Sequence, residues 1–170
     1  MKVRTVLLLS CLLGTGCATV STTPRPHVAF FPATGHFVRN SVTLDANPIC
    51  LVVRDYDTFA EVFGAAATGL GEVRNDYVTP EAMTGKIAIC VVDAGDHTQK
   101  GRDVVRDVAI EHIELQGKTL HVYFRSNVIR TGVTFSANYH SLVLMEACDF
   151  SSIALFENGK RNRQIPVRNL

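Results

Sequence analysis

The sequence lacks the features that mark several large classes of protein. Its 17 lysine and arginine residues nearly balance its 16 aspartate and glutamate residues, so it has no excess of the positive charge that nucleic-acid-binding proteins use. It has no Gly-x-Ser-x-Gly turn, no phosphate-binding loop and no helix-opening Gly-x-Gly-x-x-Gly. We therefore expect no nucleic-acid partner, no cofactor and no catalytic residue of a standard type.

The chain also lacks an apolar run long enough to span a membrane. A transmembrane helix needs about 20 consecutive apolar residues, whereas the apolar residues 5–13 are preceded by Lys2 and Arg4 and soon give way to polar residues. A short basic segment, a short apolar segment and the small residues 14–16 (GTG) are the three parts of an export signal. We expect residues 1–16 to be a signal peptide that is removed.

Cys17 directly follows the small residues, and residues 13–17 (LGTGC) resemble the bacterial lipobox. The resemblance implies cleavage before Cys17 and attachment of acyl chains, palmitate among them, which hold a protein firmly in a bilayer when two or more are present. One departure is that Gly14 stands where the lipobox usually has leucine. Two alternatives remain: secretion without lipid, and acylation of Cys11, which would leave an apolar segment of about five residues where roughly 7–15 are usual.

The polar, proline-containing residues 17–26 predict an extended lipidated tether, followed by a single domain over 27–170. Ala18 follows the cysteine where aspartate could stand, and by resemblance to Gram-negative lipoproteins this implies sorting to the outer membrane. No acidic run indicates export to the cell surface, so we expect the domain to face the periplasm. Loss of Lys2 and Arg4 with the signal leaves 15 basic against 16 acidic residues, a formal charge of −1.

The hydrophobic pattern of the domain predicts one helix and a series of strands. Apolar residues recur every three or four positions over 56–67, after a capping Asp55 or Asp57, and residues 79–83 predict one more helical turn. Residues 116–118 (QGK) have the length and chemistry of a hairpin turn. Alternating or continuous apolar runs predict strands over 35–42, 49–54, 86–92, 104–115, 119–126, 139–146, 151–157 and 165–167. The sequence therefore predicts an α+β fold, with one helix packed on a mostly antiparallel sheet of about six or seven strands.

Three cysteines fall within the domain, and none of their spacings matches Cys-x-x-Cys or a zinc finger. Cys50 and Cys90 lie inside apolar, strand-like runs, where a free cysteine behaves as a small hydrophobic residue. An exported protein can oxidise a pair of thiols, but three is an odd number. We favour free thiols, with a Cys50–Cys90 or a Cys90–Cys148 bridge as the alternatives.

The densest group of possible metal ligands follows the predicted strand over 86–92. It consists of Asp93, Asp96, His97 and Asp103. These residues lack the alternating register and closing glutamate of a calcium loop, and aspartate beside glycine also suits a plain turn between strands. We favour the turn and keep the metal site as a weak alternative.

His112 and His121 fall on the two strands of the predicted hairpin. Simple alternation places His112 on one face with Ile110 and Glu114, and His121 on one face with Tyr123, so the two histidines could approach each other. A neighbouring carboxylate could complete a zinc site, and the candidates are Glu111 and Glu114. No helical His-Glu-x-x-His spacing is present, so we favour solvent-facing histidines over a metal site.

Cys148 is the one candidate nucleophile, because His140 and Asp149 lie near it in the sequence. The eight residues between His140 and Cys148 correspond to roughly 26 Å along one strand. The two side chains can meet only if the chain turns between them, and we assign no catalytic residue.

Several segments resemble a group of small uncharacterised lipoproteins of Gram-negative bacteria. They are residues 37–40 (FVRN), 53–64 (VRDYDTFAEVFG), 86–89 (KIAI) and 141–145 (SLVLM). The order of elements over 35–157 is more distantly similar to the C-terminal domain of a protease-complex accessory lipoprotein. These motifs are structural, and the resemblance implies no catalytic residue.

The sequence therefore predicts a membrane-anchored envelope lipoprotein that acts as a non-enzymatic binding or accessory module. Its expected partners are the lipid bilayer, through the acylated Cys17, and a protein of the envelope. Two alternatives remain. One is a small envelope hydrolase or metal-dependent enzyme, and the other is a protease inhibitor or chaperone, which rests on the accessory-lipoprotein resemblance alone.

Overall fold

The computed structural model describes residues 27–46, 48–65, 78–93, 98–99, 102–133, 139–163 and 165–170. Its strands are β1 (Phe30–Pro32), β2 (His36–Val38), β3 (Ile49–Val53), β4 (Phe63–Ala65), β5 (Lys86–Asp93), β6 (Thr98–Gln99), β7 (Arg102–Gln116), β8 (Thr119–Val133), β9 (Tyr139–Glu146), β10 (Ser152–Glu157), β11 (Lys160–Asn162) and β12 (Val167–Asn169). Its helices are α1 (Tyr56–Val62) and α2 (Pro80–Met83). The predicted α+β fold with one helix on a single sheet is wrong, because the described chain is mostly β and its strands form three sheets.

Two five-stranded sheets carry the fold. The first sheet has the strand order β1-β9-β5-β3-β12, and the second sheet has the order β11-β10-β8-β7-β6. A small sheet consists of β2 and β4. The pairs β8–β10 and β3–β12 are parallel, and the other pairs are antiparallel.

The first sheet is covered on both faces, which explains its nearly continuous apolar strands. Successive side chains of a strand point to opposite faces. Accordingly, Ala88 and Cys90 of β5 pack into a core with α1, α2 and the small sheet. Ile89 and Val91 of the same strand pack into a second core, which lies between the first and second sheets. One sheet is therefore common to both hydrophobic cores.

The helix α1 is shorter than the hydrophobic pattern predicts. Asp55 caps it as expected, since its Oδ1 accepts a hydrogen bond from the backbone N–H of Thr58 at 2.8 Å. The helix ends at Val62, and Phe63 is already extended, with φ −112° and ψ 137°. Residues 63–65 instead pair with β2, because this pairing brings the ring of Phe37 over the bare backbone of Gly64. Residues 66–67 of the predicted helix lie outside the described residues.

The long hairpin is confirmed, but its strands extend well beyond the predicted bounds. The turn contains Gly117, whose φ of +59° favours glycine. The predicted strand over 139–146 is confirmed as β9, and that over 165–167 moves to Val167–Asn169. The pattern misses β1, β4, β6 and β11, which have two or three residues each and are too short to show a period.

The prediction of free thiols is confirmed for Cys50, Cys90 and Cys148. Cys50 and Cys90 are buried on adjacent strands, but they point into different cores, so no bridge can join them without rebuilding the sheet. Burial raises the pKa of Cys50 to about 12 and that of Cys90 well above its ordinary value. Both side chains therefore act as small apolar groups.

Candidate functional site

The outer face of the second sheet carries a row of stacked rings. Val122 and Phe124 point into the core between the sheets, so Tyr123 between them points outward. Its direct strand partners are His112 on β7 and Phe156 on β10. The rings of His112 and Tyr123 are 4.0 Å apart at 14°, and those of Tyr123 and Phe156 are 4.5 Å apart at 17°. We call these three residues the aromatic row.

Two further residues flank the aromatic row. His27 bridges to β7 opposite Glu114, and its ring meets His112 edge-on at 5.8 Å. At the other end, Arg161 on β11 is the strand partner of Phe156. Together with these two flanking residues, the aromatic row extends across the four strands β7, β8, β10 and β11, with a second histidine at one end and a cation at the other.

A β-bulge aims His112 outward. Simple alternation would place Ile110 and His112 on the same face, yet Ile110 is buried in the core and His112 belongs to the outer face. The register shifts between these two residues, so that Glu111 is the extra residue of the bulge. A bulge re-aims the side chains that follow it, and the predicted pairing of His112 with Ile110 is wrong for this reason.

Glu114 is a buried carboxylate on the same outer face. Only 6% of its surface is exposed. Its Oε2 accepts a hydrogen bond from Gln116 Nε2 at 3.0 Å and a longer one from the Tyr123 hydroxyl at 3.4 Å. Its Oε1 lies 3.7 Å from His112 Nε2. The carboxylate thus forms a hydrogen bond with Tyr123 and lies beside His112, so it contacts two members of the aromatic row.

The structure places His112 and His121 on one face, as predicted, but not as a pair. The direct strand partner of His121 is Glu114, and its ring packs 5.2 Å from Phe156. Within the described ranges, no group of three or more histidine, cysteine, aspartate or glutamate side chains is arranged to hold a metal ion. Asp96 and His97 lie outside the described residues, as does the side chain of Asp103.

Asp93 is described, and its carboxylate is engaged within the protein. Its Oδ2 accepts a hydrogen bond from the Ser126 hydroxyl at 2.9 Å and lies 3.4 Å from Arg106 Nε. The Ser126 hydroxyl also accepts a hydrogen bond from Arg106 at 3.3 Å. These contacts connect the end of β5 in the first sheet to β7 and β8 in the second sheet.

The structure does not bring Cys148, His140 and Asp149 together. His140 Nε2 lies 2.7 Å from the carbonyl oxygen of His36, at the start of β9. Cys148 follows the other end of that strand, where burial is the main cause that raises the pKa of its thiol. Asp149 is exposed and pairs with Lys118 at 2.7 Å. No turn closes the distance along β9 that separates the histidine from the cysteine.

A cavity lies on the face of the first sheet that carries α1 and the small sheet. Its volume is about 210 Å³. Burial lowers the pKa of His36 there, which favours the neutral form of this histidine. The lining is mainly aromatic and aliphatic, with one cation: His36, Arg39, Tyr56, Phe59, Ala60, Phe63, Ala65 and Val78.

Comparisons with known proteins add no relative: no family model, no curated protein and no solved structure matches this chain. None of the helices in the described ranges is long and apolar enough to cross a membrane. Residues 1–26, including Cys17 and Cys11, lie outside the described residues.

Sequence reasoning found His112, Glu114 and His121 but missed His27 and Phe156, and it did not connect Arg161 with these residues. The hairpin register, once its bulge is known, places Tyr123 beside His112. Phe156 reaches the row only through the parallel pairing of β10 with β8, and no local signal in the sequence specifies that pairing.

Proposed function

We propose that the chain is an envelope lipoprotein, anchored in the outer membrane by acyl chains on Cys17 and facing the periplasm. Its domain acts as a non-enzymatic binding module. The support for the anchor is the order of basic, apolar and small residues before Cys17. The support for binding is the outer face of the second sheet.

The aromatic row is the observation that carries the binding proposal. Its rings stack on one another, so their edges stand outward in fixed positions. Aromatic side chains are enriched where proteins meet partners, because they offer a large contact area at a low cost in conformational entropy. The hydrogen bonds of Glu114 hold this surface in place before binding, and such preorganisation favours affinity.

The anchor is tested by metabolic labelling with radioactive palmitate in the bacterial cell. We expect label on the wild-type chain and on Cys11→Ser, and no label on Cys17→Ser, which should accumulate as the uncleaved precursor. Cys11→Ser is the matched control, because it removes a thiol from the same signal segment. If Cys17→Ser is labelled and Cys11→Ser is not, the acylated residue is Cys11. If no variant is labelled, the lipid anchor is refuted.

The binding face is tested by a photoreactive phenylalanine analogue placed at His112 in the acylated protein. We expect ultraviolet light to give a discrete adduct in cells. The same analogue at Glu61 is the control, since Glu61 is exposed on α1, which packs on the opposite face of the first sheet. Adducts of equal yield at both positions, or none at His112, would contradict a binding role for the outer face.

A further inference from the structure

Strand β11 and the residue after it carry three cations that form no ion pair with any other described residue. Lys160, Arg161 and Arg163 are all exposed. They line a shallow concavity of about 690 Å³, together with Glu157, Asn158 and Asn162. In the part of the chain that the structure describes, no carboxylate lies within ion-pair distance of any of the three. We call these three residues the basic turn.

The hairpin turn that precedes the basic turn is held by several hydrogen bonds. Asn158 and Gly159 have φ of +48° and +77°, as in the tight two-residue turns that suit antiparallel strands. The Asn158 side chain accepts a hydrogen bond from the backbone N–H of Ser126 and donates one to its carbonyl, both at 3.2 Å. The backbone N–H of Asn158 also donates to the carbonyl of Phe124 at 2.9 Å. The cations that follow are therefore presented from a fixed frame.

The one carboxylate in the concavity is held away from these cations. Glu157 is the strand partner of Lys160, the position from which a cross-strand ion pair would be expected. Its Oε2 instead accepts a hydrogen bond from Asn162 Nδ2 at 2.9 Å. Among the described residues the three cations thus stay without an ion-pair partner, and the concavity keeps an excess of positive charge over the single carboxylate of Glu157.

We infer that the basic turn docks on the phosphate headgroups of an anionic lipid bilayer; this inference rests on the proposed anchor for its choice of partner. The mature chain has a formal charge of −1, so the protein as a whole is not attracted to such a surface. A local cluster of three cations is attracted, and it selects one orientation of the domain. Each lysine or arginine near an anionic bilayer adds to the free energy of binding, and three such residues together strengthen binding on the order of a hundredfold.

The position of the tether permits this orientation. The described chain begins at His27, and the next residue, Val28, donates a backbone hydrogen bond to Ile113 of β7 at 2.9 Å. Three strand spacings, about 14 Å, separate β7 from β11. The ten residues 17–26 reach about 35 Å when extended. A lipid on Cys17 can therefore remain in the bilayer while the β11 edge rests on it, which leaves the aromatic row turned to the side.

The test uses the mature chain, residues 17–170 with Cys17→Ser, which carries neither an acyl group nor the apolar signal segment, and vesicles that are pelleted by centrifugation. Vesicles of phosphatidylcholine alone are compared with vesicles that also contain phosphatidylglycerol, at low and at raised salt. We expect binding only to the anionic vesicles and weaker binding at raised salt. Because no acyl group is present, the result does not depend on the palmitate experiment, and the two proposals can fail separately.

The decisive variant replaces Lys160, Arg161 and Arg163 with glutamine. We expect it to lose on the order of a hundredfold in affinity for anionic vesicles. Circular dichroism verifies that each variant is folded.

The matched control removes the same charge elsewhere, by Arg54→Gln, Lys86→Gln and Lys118→Gln. These three already contact Phe150, Glu146 and Asp149, so we expect near wild-type binding to vesicles. Equal losses in the two triple variants would overturn the inference, since net charge alone would then explain them. Equal binding of the protein to neutral and anionic vesicles would also overturn the inference. So would a protein that binds soluble polyphosphate but not anionic vesicles.

Discussion

At the scale of single residues, Asp93 shows how a candidate metal ligand can instead stabilise the fold. It lies at the end of a buried strand and is 8% exposed. Its carboxylate is the common partner of Ser126 and Arg106, which come from the other sheet. A charge in such a position is tolerated only when it is paired and hydrogen-bonded, and here the pairing also joins the two sheets.

Removal of this carboxylate should be costly. Asp93→Ala leaves the Arg106 guanidinium without its ion-pair partner and the Ser126 hydroxyl without its acceptor, and we expect the free energy of unfolding to fall by about 2 kcal/mol. Ser126→Ala is the control and should cost about 1 kcal/mol, because the Asp93–Arg106 ion pair stays. Urea unfolding followed by circular dichroism measures both. Equal losses in the two variants would show that the ion pair contributes nothing.

At the scale of elements, the sequence pattern predicts what is local and fails where a distant strand decides. The strand over 139–146 and the hairpin turn at Gly117 follow from hydrophobic period and turn chemistry. The end of α1 does not, because residues 63–65 leave the helix to pair with β2, about 27 residues earlier in the chain. A helical period alone carries no information about such a partner.

The candidate site has the same division between local and distant causes. His112 and His121 were predicted from the hairpin, but the bulge at Glu111 reverses the face expected from Ile110. A bulge inserts one residue and leaves the composition unchanged, so a pattern with a period of two cannot show it. Phe156 and Arg161 join the row through pairings of β10 and β11, which depend on the packing of the whole sheet.

At the scale of the whole molecule, the two faces of the second sheet have different roles. Phe124 faces inward and is 1% exposed, whereas Phe156 belongs to the half-buried outer row. The inner face stabilises the fold, because both cores share the first sheet and the second sheet closes one of them. The outer face adds cross-strand contacts and, by our proposal, a binding surface.

This division predicts unequal costs for two similar substitutions. Phe124→Ala should lower the free energy of unfolding by about 3–5 kcal/mol, since it opens a cavity between the sheets. Phe156→Ala should lower it by about 1 kcal/mol, the value of a cross-strand aromatic contact. Urea unfolding of both variants measures the difference. Comparable losses would mean that the aromatic row is part of the folding core and would weaken its assignment as a binding face.

The parallel pairing of β12 with β3 also decides when the first sheet can be completed during synthesis. Residues 167–169 lie beside residues 50–52 in the first sheet, so that sheet cannot be completed until more than a hundred intervening residues have left the ribosome. Contacts this distant along the chain slow folding. The first sheet therefore lacks its last edge strand until synthesis is nearly finished.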